Sequence, residues 1–180
     1  LKWQSVAGLL TCVFGLSIGA RSQATPTASK VGNLQIGIGG LLVSTDYTPK
    51  KAGGLTVYGD FDFTKHIGIE GDIHFGSIIT PADLGEDSYL LGPRFVIGHK
   101  RFSGYGKVLF GVGRLNYQQG FFASNASFTY KIYAFGGGLD IKATRRLNVR
   151  AIDVELQKWP GYGNGLSPIV TTVGVAYSFP

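Results

Sequence analysis

Sulfur is nearly missing from this chain. Its 180 residues contain one cysteine, Cys12, and no methionine. A single thiol excludes an internal disulfide framework and a thiolate metal centre. Charge is scarce too: charged residues make up 16% of the sequence, against roughly 25% in an ordinary soluble domain. Beyond the N-terminal segment no apolar run approaches the length of a bilayer-crossing helix, which needs about 18–20 residues. What is abundant is glycine, 28 residues, with 13% aromatics. These proportions argue against a helical bundle, a disordered chain and a disulfide-stapled scaffold. They leave an all-β soluble barrel or sandwich, or a β-barrel seated in a membrane. The length sets an expectation of one domain.

Residues 1–24 read as a signal peptide. Lys2 is the only charge before Arg21, and Val6–Ile18 is a run of 13 uncharged residues. Ser22-Gln23-Ala24 then offers a small-x-small cleavage site, with Ala20 as second choice. Cys12 lies inside the apolar run, whereas a lipoprotein cysteine would end it. Residues 25–33 form a polar lead. From Thr25 onward the chain keeps 15 Lys+Arg and 11 Asp+Glu. They are dispersed, and nothing resembles a nucleic-acid stripe.

After the lead the sequence alternates with period two. In the stretch 66–75, Ile67, Ile69, Gly71, Ile73 and Phe75 share one face, and His66, Gly68, Glu70, Asp72 and His74 share the other. The same pattern predicts strands at about 34–44, 55–63, 66–76, 88–98, 104–116, 128–142, 147–157 and 169–179. Connections alternate in length. Those at 64–65, 99–103 and 143–146 are short, and those at 45–54, 77–87, 117–127 and 158–168 are long. None has room for a crossover helix, so the strands form an antiparallel meander. An eight-stranded outer-membrane barrel has short turns at one end and long loops at the other. A soluble up-and-down barrel has no reason for that asymmetry. Aromatics gather near both sets of strand ends, as in two interfacial girdles. Phe75, Tyr89, Tyr117, Trp159 and Tyr162 lie toward the long loops, and Phe61, Phe63, Phe95, Phe102 and Phe179 toward the short turns.

The C-terminal stretch reads Thr172-Val-Gly174-Val-Ala-Tyr177-Ser-Phe179-Pro180. Its polar-x-Gly-x-x-aromatic-x-aromatic spacing, carried by Thr172, Gly174, Tyr177 and Phe179, resembles the signal that hands outer-membrane proteins to the barrel-assembly machinery. With the strand count and loop alternation, residues 31–180 resemble the small eight-stranded outer-membrane β-barrel family of OmpA/OmpX type. The resemblance implies a transmembrane barrel over 34–180, in the outer membrane of a diderm bacterium. It implies lipid and the assembly machinery as partners, and no particular activity, because this fold hosts structural proteins, adhesins and a few enzymes.

If the apolar face meets lipid, parity directs Asp60, Asp62, Glu70, Asp72, Asp140, Asp153 and Glu155 into the lumen, with Arg94, Lys107, Tyr58, Tyr130 and His74. Seven acids against two bases would leave five uncompensated negative charges, a costly interior without water, protons or hydroxyl donors. Hairpin registers place Asp60 opposite Glu70, Glu70 near Arg94 and Arg94 near Lys107. Inward glycines leave room for long polar groups to cross an interior that side chains fill. The expectation is a plugged polar lumen with no cofactor, metal or nucleic acid. The chain is expected to be a monomer, using its long loops and their rings Phe121, Phe122, Trp159 and Tyr162 against a surface ligand not yet identified.

Two other functions compete. A lipid-modifying enzyme would use rim residues His74 and Ser77 with Asp83, Glu86 or Asp87, although residues three apart on a strand face opposite sides. A soluble lipocalin-like carrier would turn the apolar face inward. Intact-mass measurement of exported protein should give a mature chain that starts at Thr25, and a mass that retains Cys12 would contradict the signal-peptide reading.

Overall fold

A computed structural model describes residues 32–46, 49–80, 84–117, 126–163 and 165–179. The expected signal peptide and nearly all of the polar lead lie outside the described residues. So do Phe121, Phe122 and Asp83. Eight strands follow in order: β1 (Asn33–Ser44), β2 (Ala52–Asp62), β3 (Ile67–Ile79), β4 (Leu84–His99), β5 (Phe102–Tyr117), β6 (Ala126–Lys142), β7 (Leu147–Lys158) and β8 (Ile169–Ser178). Each pairs antiparallel with its neighbours, and β1 pairs with β8 from Gln35↔Ser178 to Ser44↔Ile169, so the sheet closes. Closure matters because an open edge would leave a row of backbone N–H and C=O groups unpaired, which hydrocarbon does not tolerate.

The alternation sorts side chains between two environments. Along β3, Gly68, Glu70, Asp72 and His74 are buried, whereas Ile67, Ile69, Ile73 and Phe75 are exposed. Ile36, Ile38, Leu91, Phe110, Phe135, Val173 and Val175 are likewise exposed around the circumference. Polarity is therefore inverted relative to a soluble protein. A lipocalin-like carrier needs the opposite arrangement, and the outward apolar band removes that reading.

The short turns are compact. At β2–β3, Thr64 Oγ1 accepts from the backbone N–H of His66 at 3.2 Å and of Ile67 at 3.0 Å. At β6–β7, Thr144 Oγ1 repeats this with Arg146 at 3.3 Å and Leu147 at 3.0 Å. At β4–β5, the pair His99↔Phe102 leaves only Lys100 and Arg101 in the turn. Lys100 has a φ of +54°.

The long connections differ from their sequence reading. The stretch 77–87 is mostly strand, because Ser77 Oγ donates to Asp87 Oδ1 at 2.7 Å. Asn116 Nδ2 ties both, at 3.0 Å to Ser77 Oγ and 2.7 Å to Asp87 Oδ2. Trp159 and Leu166 are drawn inward and joined by a bridge, with Gly163 and Gly165 at positive φ between them.

Ile69 lies outward on β3 and is 40% exposed. Ile69→Arg should cut folding yield in lipid vesicles, since Arg at a bilayer midplane costs about 2–4 kcal/mol in such barrels. Ile69→Leu should fold normally. Equal yields for the two variants would show that this face is solvated.

Candidate functional site

The interior divides into a charged half near the short turns and an apolar half near the long loops. Lys107 of β5 forms the centre of the charged half. Its Nζ donates to Glu70 Oε1 at 2.8 Å, Asp72 Oδ2 at 2.7 Å and Asp153 Oδ2 at 2.7 Å. Glu155 Oε1 approaches as a fourth carboxylate at 2.7 Å. These partners come from β3 and β7, so one ammonium spans the lumen.

Two guanidiniums extend the network. Arg94 on β4 pairs through Nη1 with Asp60 and, at 3.3 Å, with Glu70 Oε2, and through Nη2 with Asp140 Oδ2 at 2.6 Å. Arg150 on β7 donates Nη1 to Glu70 Oε1 at 2.8 Å and Nη2 to Asp60 Oδ2 at 3.2 Å. Its Nε reaches Asp140 Oδ1 at 3.3 Å. Each guanidinium also lies over a ring: Arg94 is 4.1 Å from the Tyr105 centroid and Arg150 is 3.7 Å from that of Tyr58. Such stacking is worth most where water is excluded. Gly37 on β1 makes room for it, since a Cβ there would stand 2.2 Å from the Tyr58 ring.

Above Lys107 the polarity falls. His74 Nδ1 lies 2.9 Å from Ser88 Oγ, and its Nε2 lies 3.7 Å from Glu155 Oε1. Gln157 Nε2 donates to Ser88 Oγ at 3.2 Å, and Trp159 Nε1 donates to Gln157 Oε1 at 3.2 Å. Leu84, Leu90, Leu109, Leu115, Ile132, Ala134, Trp159 and Leu166 then pack into an apolar plug. Gly113 admits the indole, because a Cβ there would stand 2.2 Å from it.

Of the residues that parity directed inward, Asp60, Glu70, Asp72, Arg94, Lys107, Asp140, Asp153 and Glu155 all meet in this network. Asp62 is half-buried at the end of β2 and enters none of these ion pairs. Arg150 is a third cation, absent from the residues that parity directed inward. The register shifts between Arg150 and Asp153, so that Asp140↔Arg150 follows Leu139↔Ile152. The extra residue, Ala151, brings Arg150 to the same side as Asp153. Six carboxyl groups of the network therefore face three cations. The expected ladder is present at Asp60↔Glu70 and Arg94↔Lys107, and Arg94 Nη1 meets Glu70 Oε2 at 3.3 Å between them.

Trp159 is 1% exposed and is a lumen residue, not a loop contact. The bridge to Leu166 draws it in. Tyr162 is half-buried and stands edge-on to Tyr130, with centroids 5.7 Å apart. His74 and Ser77 do not meet. The hydroxyl beside His74 belongs to Ser88, while Ser77 is held by Asp87 and Asn116. Ser88, His74 and Glu155 line up as hydroxyl, imidazole and carboxylate, yet all are at most 3% exposed, and Gln157 also bonds the hydroxyl.

Ligand atoms of Asp72, His74 and Glu155 lie within 4.8 Å of one another, as do those of Glu70, Asp72 and Asp153. Both sets could hold a cation, and the Lys107 ammonium already serves the carboxylates of each. In the C-terminal motif, Thr172 faces inward with its Oγ1 3.4 Å from Asp153 Oδ2. Tyr177 and Phe179 face outward with rings edge-on at 5.1 Å.

The sequence matches the family described as "Outer membrane protein beta-barrel domain" over residues 8–179. No curated protein matches it. Among solved structures, it is similar to Ail, the attachment invasion locus protein of Yersinia pestis, in complex with the heparin analogue sucrose octasulfate. The two share 20% identity with a TM-score of 0.58, over 82% of this chain and 99% of that one. OprG from Pseudomonas aeruginosa gives 13% identity and a TM-score of 0.55, over 83% and 96%. Neisserial surface protein A gives 10% and 0.53, over 82% and 97%. At these identities the likeness establishes a shared fold.

Lys107→Met should lower stability by about 3–5 kcal/mol, the cost of breaking a buried pair and stranding its carboxylates. Lys51→Ala at the exposed rim should cost about 0–1 kcal/mol. Urea unfolding in detergent micelles measures both, and equal midpoint shifts would contradict the interior assignment.

Proposed function

The chain belongs to the outer membrane protein β-barrel domain family, and from that premise we propose that it is a non-enzymatic surface barrel that presents its long loops to an external partner. It is a transmembrane β-barrel of the bacterial outer membrane, and its apolar circumference meets lipid.

The observation that carries the proposal is the blocked interior. Lys107, Arg94 and Arg150 bind carboxylates from opposite walls, and the plug around Trp159 and Leu166 fills the other half. Eight strands enclose little more than their own side chains, so the described residues leave little room inside for a water-filled pore or a substrate pocket. Work then falls to what projects from the barrel, and loops on a rigid scaffold are the usual carriers of binding. The long connections, taken at 45–51, 80–83, 118–125 and 160–165, are the proposed contact surface, with Phe121 and Phe122 in the third. In the same proposal Thr172, Gly174, Tyr177 and Phe179 act earlier, during assembly. Ail is named for attachment and invasion, and a comparable adhesive role suits a closed barrel here.

The lipid-modifying alternative has less support. It requires a hydroxyl, a base and an acid that substrate can reach, and His74 with its neighbours is enclosed.

Planar-bilayer recordings should show no large, steady open state, and a stable porin-like conductance would overturn the blocked lumen. Host cells that gain surface adhesion by expressing the barrel should lose the gain when residues 118–125 and 160–165 become short Gly-Ser turns. Heat-modifiable gel mobility should be unchanged. Adhesion that survives the exchange would overturn the loop assignment.

A further inference from the structure

The two ends of the barrel differ in charge. At the long-loop end, bases at Lys50, Lys51, Arg114, Lys131 and Lys158 are mixed with acids at Asp46, Glu86 and Asp87. The short-turn end carries Lys65, Lys100, Arg101, Lys142, Arg145 and Arg146, all exposed. No exposed Asp or Glu accompanies them among the described residues. His66 and His99 stand in the same turns.

The turns place these groups along an arc of the rim, a ring left open across β8 and β1. Hairpins β2–β3, β4–β5 and β6–β7 reach the same rim of a closed barrel; the first and second, and the second and third, are displaced by two strands, or about 10 Å. That spacing is close to the Debye length at 0.1 M salt, about 10 Å, so the fields of neighbouring turns overlap. Folding does not call for this chemistry. The Thr64 and Thr144 turns are held by hydroxyl and backbone, which leaves the exposed residues free to vary. Lys100 occupies a φ of +54°, where glycine would be the less costly residue.

The depth of the ring indicates its partner. Each turn is short and is flanked directly by exposed apolar residues of the outward band. Lys65 lies between Phe63 and Ile67, Arg101 precedes Phe102, and Arg146 precedes Leu147. Arg146 Nη1 also reaches the Tyr177 hydroxyl at 3.4 Å. Cations one or two residues from a hydrocarbon-facing ring sit at headgroup level, and they cannot extend far beyond it. Short turns of outer-membrane barrels face the periplasm. We propose that this rim is a binding surface for anionic phospholipid headgroups of the periplasmic leaflet, which gather around the barrel through the six Lys and Arg side chains. The site is separate from the loop surface and does not depend on it.

Electron spin resonance tests this with the full mature barrel in phosphatidylcholine bilayers. The motionally restricted fractions of spin-labelled phosphatidylglycerol and spin-labelled phosphatidylcholine are compared. The expected preference for the anionic lipid is on the order of two- to fourfold. It should fall to near unity in about 1 M salt, where the Debye length is about 3 Å. It should fall equally when Lys65, Lys100, Arg101, Lys142, Arg145 and Arg146 are all replaced by Ser. Replacing Lys50, Lys51, Arg114, Lys131 and Lys158 by Ser should leave most of the preference in place. If the six-site variant loses heat-modifiable mobility, each turn is neutralised separately, and the preference should fall in steps. An unmodified barrel without preference would overturn the proposal, as would a preference that persists after all three turns are neutralised. Ring-dependent cosedimentation with cell-wall sacculi, without any lipid preference, would also overturn it and assign the ring to the acidic wall polymer.

Discussion

One ammonium group among four carboxylates holds the interior of this barrel together. Lys107 enters from β5 and meets Glu70 and Asp72 of β3 and Asp153 and Glu155 of β7. Burial makes this arrangement demanding. Charges removed from water lose several kcal/mol of solvation each and recover it only through close, well-directed partners. Arg94 and Arg150 supply the remaining partners and bring in Asp60 of β2 and Asp140 of β6. Six consecutive strands, β2 to β7, are thereby cross-linked through the lumen as well as along the wall.

Beside the charged network the remaining strands withdraw, although Leu41 and Val43 of β1 and Val170 of β8 fill the lumen nearer the long loops. β1 turns Gly37 inward, where the Tyr58 ring lies, and β8 offers the small Thr172 toward Asp153. Large groups from one side are thus accommodated by small groups on the other, as a narrow eight-stranded interior requires. Toward the long loops the same principle continues with apolar contents, and Gly113 yields to Trp159. The interior has a soluble protein's packing with a polarity gradient, and the outer wall has the polarity that lipid selects. In a barrel filled in this way the interior charges of the described residues face one another, and the apolar band faces outward.

Much of this was legible in residues 32–180. Period-two alternation in β3, the even strand number and the alternation of short and long connections led to a closed eight-stranded meander, and parity alone separated lipid-facing Ile69 from lumen-facing Glu70. Four things were hidden for physical reasons. A parity count fails at a bulge, so the extra Ala151 concealed Arg150, and the charge balance was misjudged by that cation and by one acid, Asp62, which stays out of the network. Hydroxyl and amide bonds between Ser77, Asp87 and Asn116 lengthen a hairpin that composition marks as loop. The inward position of Trp159 depends on its bridge to Leu166 and on space left by Gly113 on β5, which is not local to that segment. The apolar plug was missed for a related reason, because inward residues of β4, β5 and β6 meet Trp159 and Leu166 only after closure.

The account stands or falls on whether Lys107 and its carboxylates act as one unit. A double-mutant cycle with Lys107→Met and Asp153→Asn, read by urea unfolding of the folded barrel in micelles, measures that coupling directly. Residues that share a buried network should couple by about 1–3 kcal/mol. The account predicts a value in that range, with the double variant losing less than the sum of the single losses. Additive losses with near-zero coupling would contradict it and show that the charged interior is not held through this ammonium.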